Sequence, residues 1–83
     1  MYVFCYIIST STGRYYTGIS KDVRKRFQQH CKGRSVFFRH NTALHVVFSR
    51  RFNSYGDARK LEVYIKSIGA RRFLQGTLQL KGK

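Results

Sequence analysis

Residues Tyr2 to Ser9 read YVFCYIIS, a run of aromatic and β-branched side chains without a breaker. Such a run is a strand with apolar side chains on both faces, and it has to be covered from two sides. An 83-residue chain has a single core with which to do this, burying about 60% of the surface its unfolded form exposes. The next five residues, STSTG, are turn formers, and Arg14 to Gly18 (RYYTG) resumes a short strand. Two β runs joined by a short loop containing glycine make an antiparallel hairpin.

Apolar spacing organises the remainder. Ser20 is placed as a helix N-cap, with Asp22 in the first turn where the helix dipole favours an acid. Val23, Phe27 and Cys31 fall at i, i+4 and i+8, which predicts a helix from Lys21 to about Lys32. Residues 33–44, GRSVFFRHNTAL, read as a basic aromatic loop, and His45 to Phe52 as a third strand. Ser54 and Asp57 have capping-box spacing ahead of Ala58, Leu61, Ile65 and Ile68, a second amphipathic helix closed by Gly69. Ala70 to Gln75 are expected to form a short third helix. The expectation is an α+β fold over residues 1–76, a small antiparallel or mixed three-stranded sheet flanked by helices in the order β-β-α-β-α-(α). Residues 77–83 are expected to form a basic, frayed tail.

Charge narrows the function. Lys and Arg number 17 against 3 Asp and Glu, a net charge of +14. A field of that size calls for a polyanion, with nucleic acid the default and an anionic membrane surface its rival. The acids exclude more than the bases suggest. Asp22, Asp57 and Glu62 are too few for a calcium loop, a paired-carboxylate glycosidase or a carboxylate-rich two-metal cage. Any metal must then be held sparsely, by one acid with water and substrate oxygens. Cys5 and Cys31 both sit in apolar patterns and read as buried free thiols rather than a disulfide, which points to a reducing, cytoplasmic setting. No apolar run reaches the roughly 20 residues of a membrane span, and the first residues lack the features of a signal peptide.

On a helical wheel Arg26 and His30 stand one turn apart at the edge of the first helix's apolar stripe, and Glu62 flanks the apolar face of the second. Each carries two readings. Glu62 is a surface acid paired with Arg59 or Lys66, or a metal ligand. Arg26 is a snorkelling or phosphate-clamping side chain, or a catalytic one. His30 is a boundary histidine or a catalyst, and Tyr6 and Tyr16 are core tyrosines or reactive phenols.

Together these residues resemble the GIY-YIG nuclease family in its small single-domain form. That family carries a G-I-Y-like triplet in a first strand, Y-x-G in a second, an Arg ten residues after the second Tyr, often a His one turn later, and a Glu on a later helix. Here Tyr6 lies in the first strand and Tyr16-Thr17-Gly18 in the second. Arg26 falls ten residues after Tyr16, His30 one turn beyond it, and Glu62 on the second helix. Phe4-Cys5-Tyr6 stands where the family has Gly-Ile-Tyr. The recognition domain of larger members and the late Asn of some branches have no evident counterpart.

The resemblance implies a divalent-metal-dependent DNA endonuclease. Glu62 would hold one ion, Mg²⁺ or Mn²⁺, and Arg26 would hold the scissile phosphate and balance its charge. Tyr6 would act as general base with Tyr16 hydrogen-bonded beside it, while His30 orients the group or relays the proton. A phenol with an ordinary pKa of about 10 is a poor base unless positive charge favours the phenolate, and the basic field is expected to do this. Lys21 is an expected auxiliary phosphate contact.

Phe37, Phe38 and Arg39 in the basic loop, with Arg50 and Arg51, suggest bases stacked on rings beside a phosphate track, a pattern of single-stranded or branched DNA. The other reading makes both phenylalanines hydrophobic anchors of the loop. Two rival functions stand: a non-catalytic nucleic-acid-binding module, and a cationic membrane-active or chromosomal scaffold protein. The first, as an RNA-recognition motif, would need four strands. The second would need one long amphipathic basic helix, which the pattern lacks. The sequence carries no signal for oligomeric state.

Overall fold

The breaker-free run forms β1 (Val3–Thr10), and it lies in the middle of the sheet. The computed structural model describes residues 2–33 and 35–81, with side chains described through residue 76. After β1 come β2 (Tyr15–Ser20), α1 (Val23–Cys31), α2 (Val36–His40), β3 (Ala43–Phe52), α3 (Tyr55–Ile68) and α4 (Ala70–Lys81). The three strands are ordered β2-β1-β3, and both pairings are antiparallel. The expected α+β sheet flanked by helices is what the chain forms.

The pleat of β1 sends alternate side chains to opposite faces. Tyr6 and Ile8 pack with Phe38 and Ala43, against Val23 and Phe27 of α1 and Phe37 of α2. Cys5 and Ile7 pack with Ile65 under α3, where Leu61, Phe73 and Leu74 close the cluster. None of these four β1 side chains is more than 1% exposed. The sheet is thus a partition between two small cores, one per helical layer.

Local chemistry sets the helix ends. Pairing of β1 with β2 extends to Ser20, opposite Phe4, so Ser20 belongs to the strand and not to the cap expected of it. Asp22 takes that role, accepting a 3.0 Å hydrogen bond from the Lys25 N–H, while Ser20 Oγ accepts from the Asp22 N–H. Ser54 caps α3 as its spacing predicts, accepting from the Asp57 N–H at 3.2 Å. Gly69 ends α3 at φ +93°, a left-handed conformation that side chains with a Cβ avoid. Its N–H still donates to the Ile65 carbonyl.

The stretch 33–44 departs from the expectation of a plain loop. It holds the short α2, with Ser35 accepting from the Phe38 N–H at its start. Asn41, only 7% exposed, fastens its end. The Asn41 amide donates to the Phe37 carbonyl at 2.8 Å, and its oxygen accepts from the Thr12 hydroxyl in the β1–β2 turn. Cys31 also departs from expectation. It ends α1 on the solvent side and is exposed, whereas Cys5 is fully buried, and both thiols are free. The backbone of α4 is helical through Lys81, beyond the 70–75 expected. The side chains of the tail proposed at 77–83 lie outside the described residues.

β3 steps out of register with β1 twice, once between Ile7 and Ile8 and once between Ser9 and Thr10. The skipped residues are Val47 and Leu44, each the extra position of a β-bulge. Among the described residues no helix is long and apolar enough to cross a membrane.

The Asn41 clasp is the joint between the hairpin and α2, and buried polar groups left unpaired cost stability. Asn41→Ala is expected to lower unfolding free energy by about 1–3 kcal/mol in urea titration. A change within error would remove Asn41 as the element that holds α2 in place.

Candidate active site

Strand pairing places the two tyrosine motifs side by side. Tyr6 of β1 lies opposite Gly18 of β2, and Ile8 opposite Tyr16, so both phenols project on the α1 side of the sheet. His30, in the last turn of α1, completes the group. Tyr6 Oη and His30 Nε2 are 3.1 Å apart, a hydrogen bond whose direction follows the imidazole tautomer. The Tyr16 ring lies 4.9 Å from His30 and 6.3 Å from Tyr6, centroid to centroid.

Gly18 makes room for this arrangement. A Cβ at position 18 would lie 2.8 Å from Tyr6 Oη and 3.1 Å from Tyr16 Cε2. The missing side chain is the space into which the Tyr6 phenol fits. On the opposite side, Phe38 stacks on the His30 ring at 4.2 Å and 25°, and also meets Tyr16 at 4.9 Å. Phe38 is 3% exposed and belongs to the core. Of its two sequence readings this burial favours the hydrophobic anchor, since the ring packs on His30, Tyr16 and Phe37. Phe37 is half-buried against Tyr16 and Phe38, also as an anchor.

The electrostatics oppose the expectation that the basic surface eases phenol ionisation. Burial pushes the Tyr6 pKa above its ordinary 10, and the neighbouring Tyr16 adds to the rise. Arg26 pulls it back only in part, and Glu62 raises it further. Solvated cations elsewhere on the surface are screened and do not reach this phenol. His30 is held below its ordinary 6.5 by burial, with Arg26 as the second cause. At neutral pH the pair is therefore a neutral phenol against a neutral imidazole.

Arg26 and Glu62 join this group through their fields. Arg26 is exposed on α1, yet its charge acts on both Tyr6 and His30. Glu62 lies on α3, the helix packed on the Cys5 side of β1. Its charge raises Tyr6 and helps to push the Cys5 thiol up to about 11, burial being the larger cause. The Glu62 side chain is 12% exposed, and its Oε2 is 3.2 Å from Lys66 Nζ.

No group of three His, Cys, Asp or Glu side chains able to hold a metal occurs among the described residues. One hard carboxylate, partly withdrawn from water, fits a Mg²⁺-type ion that keeps most of its waters, and does not fit a protein-caged metal. The donor set is therefore compatible with a single divalent ion at Glu62.

The other expected contacts scatter. Lys21 and Arg39 are exposed. Arg50 and Arg51 fall on opposite faces of β3, so they do not form one track. Arg50 lies over Phe52, in the layer under α3, while Arg51, paired with Phe4, lies over Tyr2 with its guanidinium carbon 4.3 Å from the ring centre. Strand alternation puts Tyr2, Phe4 and Arg51 on the Tyr6 side. Sequence reasoning missed Tyr2 as a partner of Arg51 and Phe38 as the support of His30. The β1–β3 register would have paired the first, and no local signal marks the second.

A family model described as the GIY-YIG catalytic domain matches residues 2–73. A UPF0213 protein of Klebsiella pneumoniae subsp. pneumoniae is 36% identical over 69 residues, covering 82% of this chain and 65% of that protein. This chain thus spans just under two thirds of the Klebsiella relative's length. A UPF0213 protein of Staphylococcus aureus is 30% identical over 73 residues, covering 87% of this chain and 89% of that protein. The solution NMR structure of a UPF0213 protein from Bacillus halodurans aligns with a TM-score of 0.59 at 29% identity, covering 99% of this chain and 87% of that one.

Two outcomes follow from the geometry. Gly18→Ala should force the Tyr6 ring off His30, seen as a changed His30 ring shift in NMR with the sheet's amide pattern kept. An unchanged ring shift would mean the contact tolerates a Cβ. For His30, the folded state binds its proton less readily than the unfolded chain, whose value is near 6.5. Its stabilising contribution is present above pH 6.5 and is lost as pH falls toward the lowered folded value. Denaturation series across this window should show stability falling on acidification, with a shallower fall in His30→Asn.

Proposed function

The chain belongs to the GIY-YIG family, a nuclease-type fold, and we propose that it is a divalent-metal-dependent DNA endonuclease. The observation that carries this reading is the Tyr6–His30 hydrogen bond, seated in the space left by Gly18 and within the fields of Arg26 and Glu62. A purely structural tyrosine pair needs neither an imidazole on one hydroxyl nor the field of the chain's one glutamate.

The raised Tyr6 pKa favours a relay over a standing phenolate. As a water attacks phosphorus, its proton passes to Tyr6 Oη while the Tyr6 proton passes to a neutral His30 Nε2. No free phenolate forms; the charge appears instead on His30, which burial and Arg26 disfavour and which the negative phosphate must offset. Tyr16 shields the pair from bulk water, and Phe38 keeps the imidazole in line. The Arg26 guanidinium offsets charge building on the phosphate oxygens. Glu62 would hold one Mg²⁺ or Mn²⁺, which supplies charge neutralisation at the phosphate and leaving oxygen.

For substrate, we assign a preference for single-stranded or branched DNA. Phe38 is buried and cannot support it. Support comes from Tyr2 and Arg51, an exposed ring and guanidinium stacked on the Tyr6 side of the sheet, where an unpaired base can lie. One observation favours a non-catalytic binding module instead: Glu62 already has a cation, Lys66.

Labelled single-stranded, branched and duplex DNA, incubated with Mg²⁺ or chelator, separates these readings. Glu62→Ala should cut at least about 100-fold more slowly while keeping DNA affinity. Equal cutting by the variant would sink the metal assignment, and fastest cutting of plain duplex would sink the strand preference.

A further inference from the structure

Glu62 and Lys66 stand one turn apart on α3, and their surroundings are unequal. The carboxylate is 12% exposed and the lysine side chain 58%. A carboxylate so far out of water needs a cation beside it. A lysine more than half in water, on a flexible four-carbon stem, gives up an exposed ion pair at small cost. Lys66 also borders a second feature. With Tyr15, Tyr16 and Thr17 of β2, and Gly69 and Ala70 at the α3–α4 junction, it lines an open cleft of about 280 Å³. Three consecutive residues of the edge strand β2, Tyr16 among them, line this cleft, and its volume is large enough for a phosphate group.

Lys66 therefore stands between two places for its charge, Glu62 on one side and the cleft on the other. We propose that Lys66 is a displaceable counter-ion: it neutralises Glu62 in the metal-free protein and moves to a DNA phosphate in the Tyr15–Ala70 cleft when Glu62 takes a divalent ion. This rests on the reading of Glu62 as the metal ligand. An ammonium and a divalent cation repel each other and seek the same carboxylate oxygens, so one is expelled as the other arrives. The expelled ammonium is then available to substrate. By linkage, DNA and the divalent ion strengthen each other's binding, although Lys66 touches only one of them at a time. Divalent-ion affinity without DNA is correspondingly low, and the carboxylate is never left buried and unpaired.

Mn²⁺ binding to the DNA-free protein, followed by electron paramagnetic resonance, tests the first half. Lys66→Gln should bind Mn²⁺ about threefold or more tightly than the parent, the factor carried by a half-exposed ion pair. Lys60→Gln removes an equal charge from an exposed position on the same helix and should change affinity much less. Equal gains in the two variants would overturn the proposal, because a general charge effect would then explain both. Affinity for a single-stranded oligonucleotide, measured by anisotropy in a Tyr6→Phe background that prevents cutting, tests the second half. With chelator, Lys66→Gln should bind as the background protein does, and with Mn²⁺ several-fold more weakly. Equal weakening under both conditions would show Lys66 to be a fixed phosphate contact, and no weakening under either would show that it never reaches the DNA. Glu62→Gln distinguishes failure of the underlying reading: if it binds Mn²⁺ as tightly as the parent, Glu62 is not the ligand.

Discussion

The middle strand is the constraint from which the rest of the domain follows. β1 hydrogen-bonds to a neighbour along both edges and buries side chains on both faces. In a chain this small, no other element can be covered twice. Each helical layer must therefore be built on one half of the β1 side chains. Tyr6 and Ile8 recruit α1 and α2, and Cys5 and Ile7 recruit α3 and α4. The candidate site inherits its geometry from that division. His30 comes from one layer and Glu62 from the other, and they act on a phenol anchored in the strand between them.

The balance of charge and burial inverts a simple view of a highly basic protein. A net charge of +14 suggests an environment in which any acid ionises easily. The fully buried Tyr6 is governed by desolvation, and only Arg26 opposes it. Charges spread over the surface are screened within about 10 Å at ordinary salt. The surface field is therefore felt by whatever approaches the protein, and the protonation of Tyr6 follows from the few groups around it.

Much of this was legible in the sequence because the signals were local. The strand run, the hairpin, the stripes of α1 and α3, Ser54 at the cap and Gly69 at the stop each depend on residues within a turn or two. Spacing and resemblance single out Tyr6, Tyr16, Arg26, His30 and Glu62 as candidates. The packing around them was not legible. Phe38 supports His30 through a ring contact that only the folded α2 creates, and five helical residues show too little periodicity to announce themselves. Asn41 is a clasp across 29 positions of sequence, joining α2 to Thr12. Ser20 looked like a cap because its type suits one, until strand pairing claimed it. Cys31 keeps the spacing of the apolar stripe but is exposed at the end of α1. Arg50 and Arg51 look equivalent as a pair of charges and diverge as soon as they enter a pleat.

β3 is an outermost strand that displays Leu44, Val46 and Val47 to solvent. A flat apolar edge of that kind ordinarily templates addition of another copy's strand. The bulges at Val47 and Leu44 break the repeat of its free backbone groups, so a straight incoming strand finds donors and acceptors out of step. Charge repulsion keeps dilute copies apart, but a polyanion would cancel that repulsion and crowd the copies together. The two irregularities in β3 make that edge a poor template for continuous strand addition.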